Sequence, residues 1–200
     1  MKRKSILPLL LIVFLIAQGS YAQEPKMKTI FNGKNLKGWT VEPEDNIWWS
    51  VEDGNITVEN DPTKTGSTLW TKKEYGDFVF QMDFLMGTGT VDSGIFLRSE
   101  KDQIQIGISG SLKRDMTASP YIPGKSYPVE AKGVKEVLDR EDWNTMKVKL
   151  VDQTYTVWIN GQEVMTYTSE NMPDKGPIGL QLHPNNEMSI AFKNIQVGKL

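Results

Sequence analysis

Between Phe78 and Met86 the chain alternates strictly: Phe78, Phe80, Met82, Phe84 and Met86 share one parity, while Val79, Gln81, Asp83 and Leu85 share the other. A period of two belongs to an extended strand, whose successive side chains point to opposite faces. The large residues then form one apolar surface that is stable only against a second layer. Shorter stretches repeat the signal at residues 103–108, 145–150 and 178–183. Residues 47–51 and 55–58 flank Glu52-Asp53-Gly54, and 155–159 and 162–168 flank Asn160-Gly161, both strong hairpin signals. Residues 30–39, 67–71, 94–98 and 188–197 supply further strands, Gly87-Thr88-Gly89-Thr90 reads as a turn, and residues 129–137 are a candidate for one more strand. About a dozen short strands and no convincing helix predict an all-β fold, two antiparallel sheets packed as a jelly-roll β-sandwich.

Residues 1–22 have the build of a secretory signal: Lys2, Arg3 and Lys4, then an apolar run from Ile6 to Ala17, then Ser20-Tyr21-Ala22 before Gln23. The apolar run is shorter than the roughly 20 residues a membrane span needs, and no later segment approaches it. The sequence thus predicts an exported protein, periplasmic or secreted, with a single domain over residues 23–200 and no integral membrane segment once the signal is removed. There is no cysteine, so burial alone must hold the fold. Loss of three basic residues and no acid moves the formal net charge from −2 to −5. Nucleic acid, which calls for a basic stripe, is disfavoured as a partner.

The single histidine lies at the end of Gly176-Pro177-Ile178-Gly179-Leu180-Gln181-Leu182-His183-Pro184-Asn185. Breakers on both sides favour a short strand, with Ile178, Leu180 and Leu182 on the core face and Gly179, Gln181 and His183 opposite. His183 reads either as a working side chain or as a strand-end residue that hydrogen-bonds a loop. Residues 109–142 are irregular and proline-rich, and a loop of that length can overhang a cleft.

Five stretches together resemble the 3-keto-disaccharide hydrolase-like domain family, exported bacterial jelly rolls similar in fold to concanavalin-type lectins and laminarinase-type glucanases. They are Phe31-Asn32-Gly33-Lys34-Asn35-Leu36-Lys37-Gly38-Trp39, Ser93-Gly94-Ile95-Phe96-Leu97-Arg98, Trp143-Asn144, Trp158-Ile159-Asn160-Gly161 and Ile178-Gly179-Leu180-Gln181-Leu182-His183. The resemblance implies a saccharide bound on a concave sheet face and a hydrolase or lyase activity on 3-oxo-glycosides. One departure stands out. Where members resemble Glu-Val-Gln-Ile, this chain has Gln103-Ile104-Gln105-Ile106, and a glutamine cannot take a proton at neutral pH.

Parity assembles a candidate site. Gln81 and Asp83, Gln103 and Gln105, and Gln181 and His183 all oppose apolar partners, and Arg98 ends its strand nearby. If these strands share one sheet, their polar groups line one sugar-sized surface; the alternative is the solvated face of a half-buried sheet. Two-carboxylate glycoside hydrolysis is disfavoured, since no Glu-x-Asp-x-x-Glu occurs and Asp83 has no acidic partner on its strand. A 3-oxo sugar needs less: its ketone acidifies the proton on carbon 2, so one base and one enolate stabiliser suffice. His183 is the candidate base, Arg98 the oxyanion stabiliser, and Asp83 orients the imidazole or is itself the base. Gln81, Gln103, Gln105 and Gln181 would bind substrate hydroxyls. Trp158, on a face with Thr154 and Thr156, is the candidate stacking residue, while Trp48, Trp49, Trp70 and Trp143 read as core. No cofactor is specified. One histidine and no cysteine make a poor zinc site, whereas an oxygen-rich calcium or magnesium site stays open. A non-catalytic carbohydrate-binding module remains the second reading.

Overall fold

The computed structural model describes residues 25–200, so the signal-like residues 1–22 lie outside the described residues. Fourteen strands follow in order: β1 (Lys28–Thr29), β2 (Trp39–Glu42), β3 (Trp49–Glu52), β4 (Asn55–Glu59), β5 (Ser67–Thr71), β6 (Phe78–Gly89), β7 (Asp92–Leu97) and β8 (Gln103–Gly107). After β9 (Pro120–Tyr121) comes a one-turn helix, α1 (Val134–Val137). The chain then continues through β10 (Asn144–Val151), β11 (Thr154–Ile159), β12 (Gln162–Thr168), β13 (Ile178–Leu182) and β14 (Met188–Lys199).

These strands form two antiparallel sheets. The eight-stranded sheet runs β12-β11-β10-β6-β14-β4-β3, with β1 also paired to β14, and the six-stranded sheet runs β2-β5-β13-β7-β8-β9. The two-sheet all-β fold expected from the alternation is the fold observed. Phe78, Phe80, Met82 and Phe84 of β6 are fully buried, as are Ile95, Leu97, Ile104, Ile106 and Leu180 of the other sheet, all in one core cluster. Fully burying a side chain of this size contributes about 1.5–3 kcal/mol, so this shared layer is the main force holding the sheets together. Polar ties cross between them as well. Trp49 Nε1 donates to Ser67 Oγ at 2.9 Å, and the Tyr155 hydroxyl donates to Asp102 Oδ1 at 3.4 Å.

Both hairpin signals hold. Asp53 and Gly54 have φ of 48° and 81°, and Asn160 and Gly161 have 49° and 86°, the paired left-handed conformations that a type I′ turn requires. Two local expectations do not hold. Gly87 and Gly89 continue β6 instead of turning the chain, and both positions require glycine because Ser189 of β14 and Glu187 just before it approach so closely that a Cβ would collide. Residues 129–137 form irregular chain and α1 where a further strand was the candidate. Among the described residues no helix is long and apolar enough to cross a membrane.

Candidate functional site

The six-stranded sheet turns Ile95, Leu97, Ile104, Ile106, Leu180 and Leu182 into the core, so their alternate neighbours face outward. Register then sets the outward residues side by side: Gln181 opposite Gly94, Gly94 opposite Gln105, Gly179 opposite Phe96, and Phe96 opposite Gln103. Gly94 leaves space that the Gln103 side chain fills, since a Cβ there would meet Gln103 Nε2 and Cγ. From this position Gln103 Nε2 donates to Gln181 Oε1 at 2.7 Å and to the Ser93 carbonyl at 3.3 Å.

Asp92 opens β7 on the same face, with its side chain 3 % exposed. Its Oδ1 accepts from Gln105 Nε2 at 2.7 Å and its Oδ2 from Asn186 Nδ2 at 3.3 Å. A buried carboxylate is tolerated only with such donors. His183, just past β13, places Nδ1 3.7 Å from Asp92 Oδ2 and 2.7 Å from the Pro184 carbonyl. A carbonyl only accepts, so Nδ1 carries the proton in the neutral ring and Nε2 holds the free lone pair. Tyr127 closes one side, its hydroxyl donating to Gln105 Oε1 at 3.1 Å. Burial pushes the Tyr127 phenol above its ordinary range, outweighing the lowering effect of Ser109, and keeps it a donor.

These groups line a cleft of about 450 Å³ that also takes in Ser109, Gly110, Ser111, Lys113, Tyr121 and Asn185. The irregular segment after β8 thus supplies one wall. Ser109 N–H donates to the Arg114 carbonyl, and Lys113 N–H donates to Ser109 O, closing a tight loop that carries Lys113. A larger cleft, about 530 Å³, lies beside β3 and β4, lined by Ile47, Trp48 and Leu85 with Glu52 and Glu59. It offers carboxylates at the surface but no imidazole and no buried polar network, so the smaller cleft is the better chemical site.

The expected constellation therefore divides. Gln103, Gln105, Gln181 and His183 do meet. Gln81, Asp83 and Trp158 sit instead on the outward face of the eight-stranded sheet. Parity assigns a face to each strand but does not say which sheet the strand joins. Both Asp83 oxygens are engaged there, by Thr145 Oγ1 and Asn194 Nδ2, each at 2.6 Å. Gln81 and Trp158 line a separate hollow of about 440 Å³ with Lys147, whose Nζ lies 4.8 Å from the Trp158 ring centroid.

Arg98 does not reach the cleft. Its backbone turns at φ 60° and its side chain is 1 % exposed. Its five N–H groups are all used: on the carbonyls of Gly76 (twice), Asp152 and Pro173, and on Asp77 Oδ1 at 2.9 Å. That is a clamp on three chain segments, with no donor left for an oxyanion. Asp92, Lys113, Tyr121 and Tyr127 were missed by sequence reasoning. Asp92 was legible, because it shares parity with Gly94 and Phe96; the others lie in loops where no period operates. Among the described residues no three His, Asp or Glu side chains gather as a metal site.

Two antiparallel sheets packed face to face, with buried polar groups on one outer face, define a jelly-roll β-sandwich. The chain belongs to the 3-keto-alpha-glucoside-1,2-lyase-like domain family, whose profile matches residues 26–198. A proposed glycosyl hydrolase from Parabacteroides distasonis ATCC 8503 is similar at 25% identity and TM-score 0.64, over 88% of this chain and 100% of that one. The carbohydrate-binding module CBM66 of Bacillus subtilis shares the fold at 15% identity and TM-score 0.55, over 81% and 96% of the two chains. The VIP36 exoplasmic/lumenal domain, solved with Ca2+ and Man3GlcNAc, shares it at 10% identity and TM-score 0.65, over 89% and 91%. Among curated proteins none matches the sequence.

Proposed function

We propose that the protein cleaves 3-oxo-glycosides by elimination across carbons 1 and 2, with His183 as base. The observation that carries this reading is the pairing of a solvent-reachable imidazole with a buried carboxylate, 3.7 Å apart, in a cleft lined by glutamine side chains. His183 Nε2 takes the proton from carbon 2, and the ketone at carbon 3 receives the electron pair as an enolate. Collapse of the enolate forms the carbon 1–carbon 2 double bond and breaks the bond from carbon 1 to the leaving oxygen. The imidazolium returns its proton to that oxygen, so the products are an unsaturated 3-oxo sugar and a free alcohol. Addition of water to the double bond would complete a net hydrolysis.

Asp92 stabilises the imidazolium during the interval. Lys113, the one lysine or arginine on the cleft, takes the enolate-stabilising role for which Arg98 has no free donor. Asp92 is the only acid among the lining residues, which speaks against a two-carboxylate mechanism. The signal-like residues 1–22 support an exported enzyme, periplasmic or secreted, acting on extracytoplasmic substrate.

The test is to incubate the protein lacking residues 1–22 with a 3-oxo-trehalose and follow release of glucose, with His183→Ala and Asp92→Asn alongside. Turnover that depends on both residues supports the reading, and turnover that survives His183→Ala removes the base. Saccharide binding without turnover favours the second reading, a lectin-like module, which rests on the fold shared with CBM66 and VIP36.

A further inference from the structure

Trp70 of β5, read from the sequence as core, lies half-buried on the same outward face as the cleft. It stands opposite Gly179, which stands opposite Phe96. An ideal Cβ on Gly179 would lie 2.6 Å from Trp70 Cζ3, so the six-membered part of the indole rests directly over the glycine backbone. At the other end of the ring Nε1 donates to Glu42 Oε2 at 2.8 Å. Phe96 flanks it, with ring centroids 5.4 Å apart and planes 24° from parallel. The indole is thus spread across the sheet and fixed at three points.

This aromatic shelf is continuous with the cleft. Gly179 is two residues from Gln181 along β13, a step of roughly 7 Å. Phe96 pairs in register with Gln103, and Gln103 is bonded to Gln181. Shelf and cleft therefore share the Gln103–Gln181 amide pair as their border.

We propose that Trp70 is a subsite for the second ring of a 3-oxo-disaccharide, the ring that departs with the leaving oxygen. This deepens the function proposed above and rests on the cleft holding the ring that is cleaved. A pyranose offers one face of C–H groups that packs on an indole, and hydroxyls at its rim for the amide pair and the Glu42 carboxylate to bind. Across that spacing a disaccharide reaches both places, whereas a methyl glycoside fills only the cleft. The shelf makes the protein select by leaving group.

The measurement is calorimetric binding of 3-oxo-trehalose and of methyl 3-oxo-glucoside, in a His183→Ala background that blocks turnover. The disaccharide is expected to bind about fivefold to tenfold more tightly, with the preference falling to about twofold or less on addition of Trp70→Ala and largely retained with Trp70→Phe. Gly179→Ala keeps the indole but lifts it off the sheet, so it should weaken the same preference even if Trp70→Ala fails to fold. A preference that survives Trp70→Ala or Gly179→Ala overturns the subsite, as does equal weakening of both ligands. If the preference behaves as expected but the wild type turns over neither compound, the shelf stands and the lyase reading falls. Binding of neither compound overturns both.

Discussion

The outward faces of the two sheets are both polar, but they handle polarity in opposite ways. On the eight-stranded sheet Gln81, Asp83, Thr145, Lys147 and Trp158 are half-exposed, and threonine pairs such as Thr154–Thr168 and Thr156–Thr166 bond across strands at 2.9 Å. Water can satisfy most of what those side chains leave unpaired. On the six-stranded sheet Asp92, Gln103 and Gln105 are between 2 and 4 % exposed and are satisfied in two groups: Gln103 bonds Gln181, while Gln105 bonds Asp92 and the pair extends to Tyr127 and Asn186. Burying such groups costs stability unless every partner is present, so buried bonds of this kind are a more selective marker of function than polar side chains that water can reach.

The sharpest way to break that contrast is to remove one side chain from each face. His183→Ala is expected to lower kcat/KM for a 3-oxo-glycoside about a hundredfold to ten-thousandfold. Asp83→Ala should leave it within about twofold, the range usual for a half-exposed residue outside the site. Equal losses would erase the distinction between the faces.

Arg98 tests the same division through stability. Arg98→Met leaves the carbonyls of Gly76, Asp152 and Pro173 without their donor, and denaturant unfolding should show a loss of about 2–4 kcal/mol. Unchanged stability together with lost turnover would return the guanidinium to the site. A smaller effect is expected of Gly94→Ala. Its Cβ would displace Gln103, costing about 1–3 kcal/mol by overpacking and weakening saccharide binding in the same variant. Binding that is unaffected would show that the Gln103–Gln181 pair does not serve ligand.

The smallest expected change concerns pH. Burial raises the Asp102 carboxyl above its ordinary value of 3.8, against the bonds from Ser169 and Tyr155 that favour the anion. The folded chain holds this proton more tightly than the unfolded chain. Its contribution is therefore complete below the ordinary carboxyl pKa and is lost as pH rises through the raised folded value. Asp102→Asn should flatten that part of the unfolding free energy measured from about pH 4 upward. An unaltered slope would assign the pH dependence to other carboxyls.

Much of the fold was legible because period-two alternation and Asn160-Gly161 act locally, within a strand or across one turn. The site was legible only in part. Gln103, Gln105, Gln181 and His183 came together because β8, β7 and β13 are neighbours, whereas Gln81 and Asp83 followed β6 into the other sheet. That partition depends on which strands pair over long sequence separations, and no local pattern encodes it. Arg98 misled for a different reason: its positive φ rotates the side chain out of the register that alternation assumes. Trp70 was read as core because an indole half-covered by its own sheet has the same sequence surroundings as one fully enclosed.

β14 is the last of the described strands, yet it lies inside its sheet, paired with β6 on one side and with β4 and β1 on the other. While a ribosome is still making residues 188–199, β6 and β4 have nothing to bridge them, and the eight-stranded layer exists only as two separate edges. Completion of the fold must wait for translation to pass this point. Such a delay keeps the nascent polypeptide open to chaperones until residues 188–199 have been made.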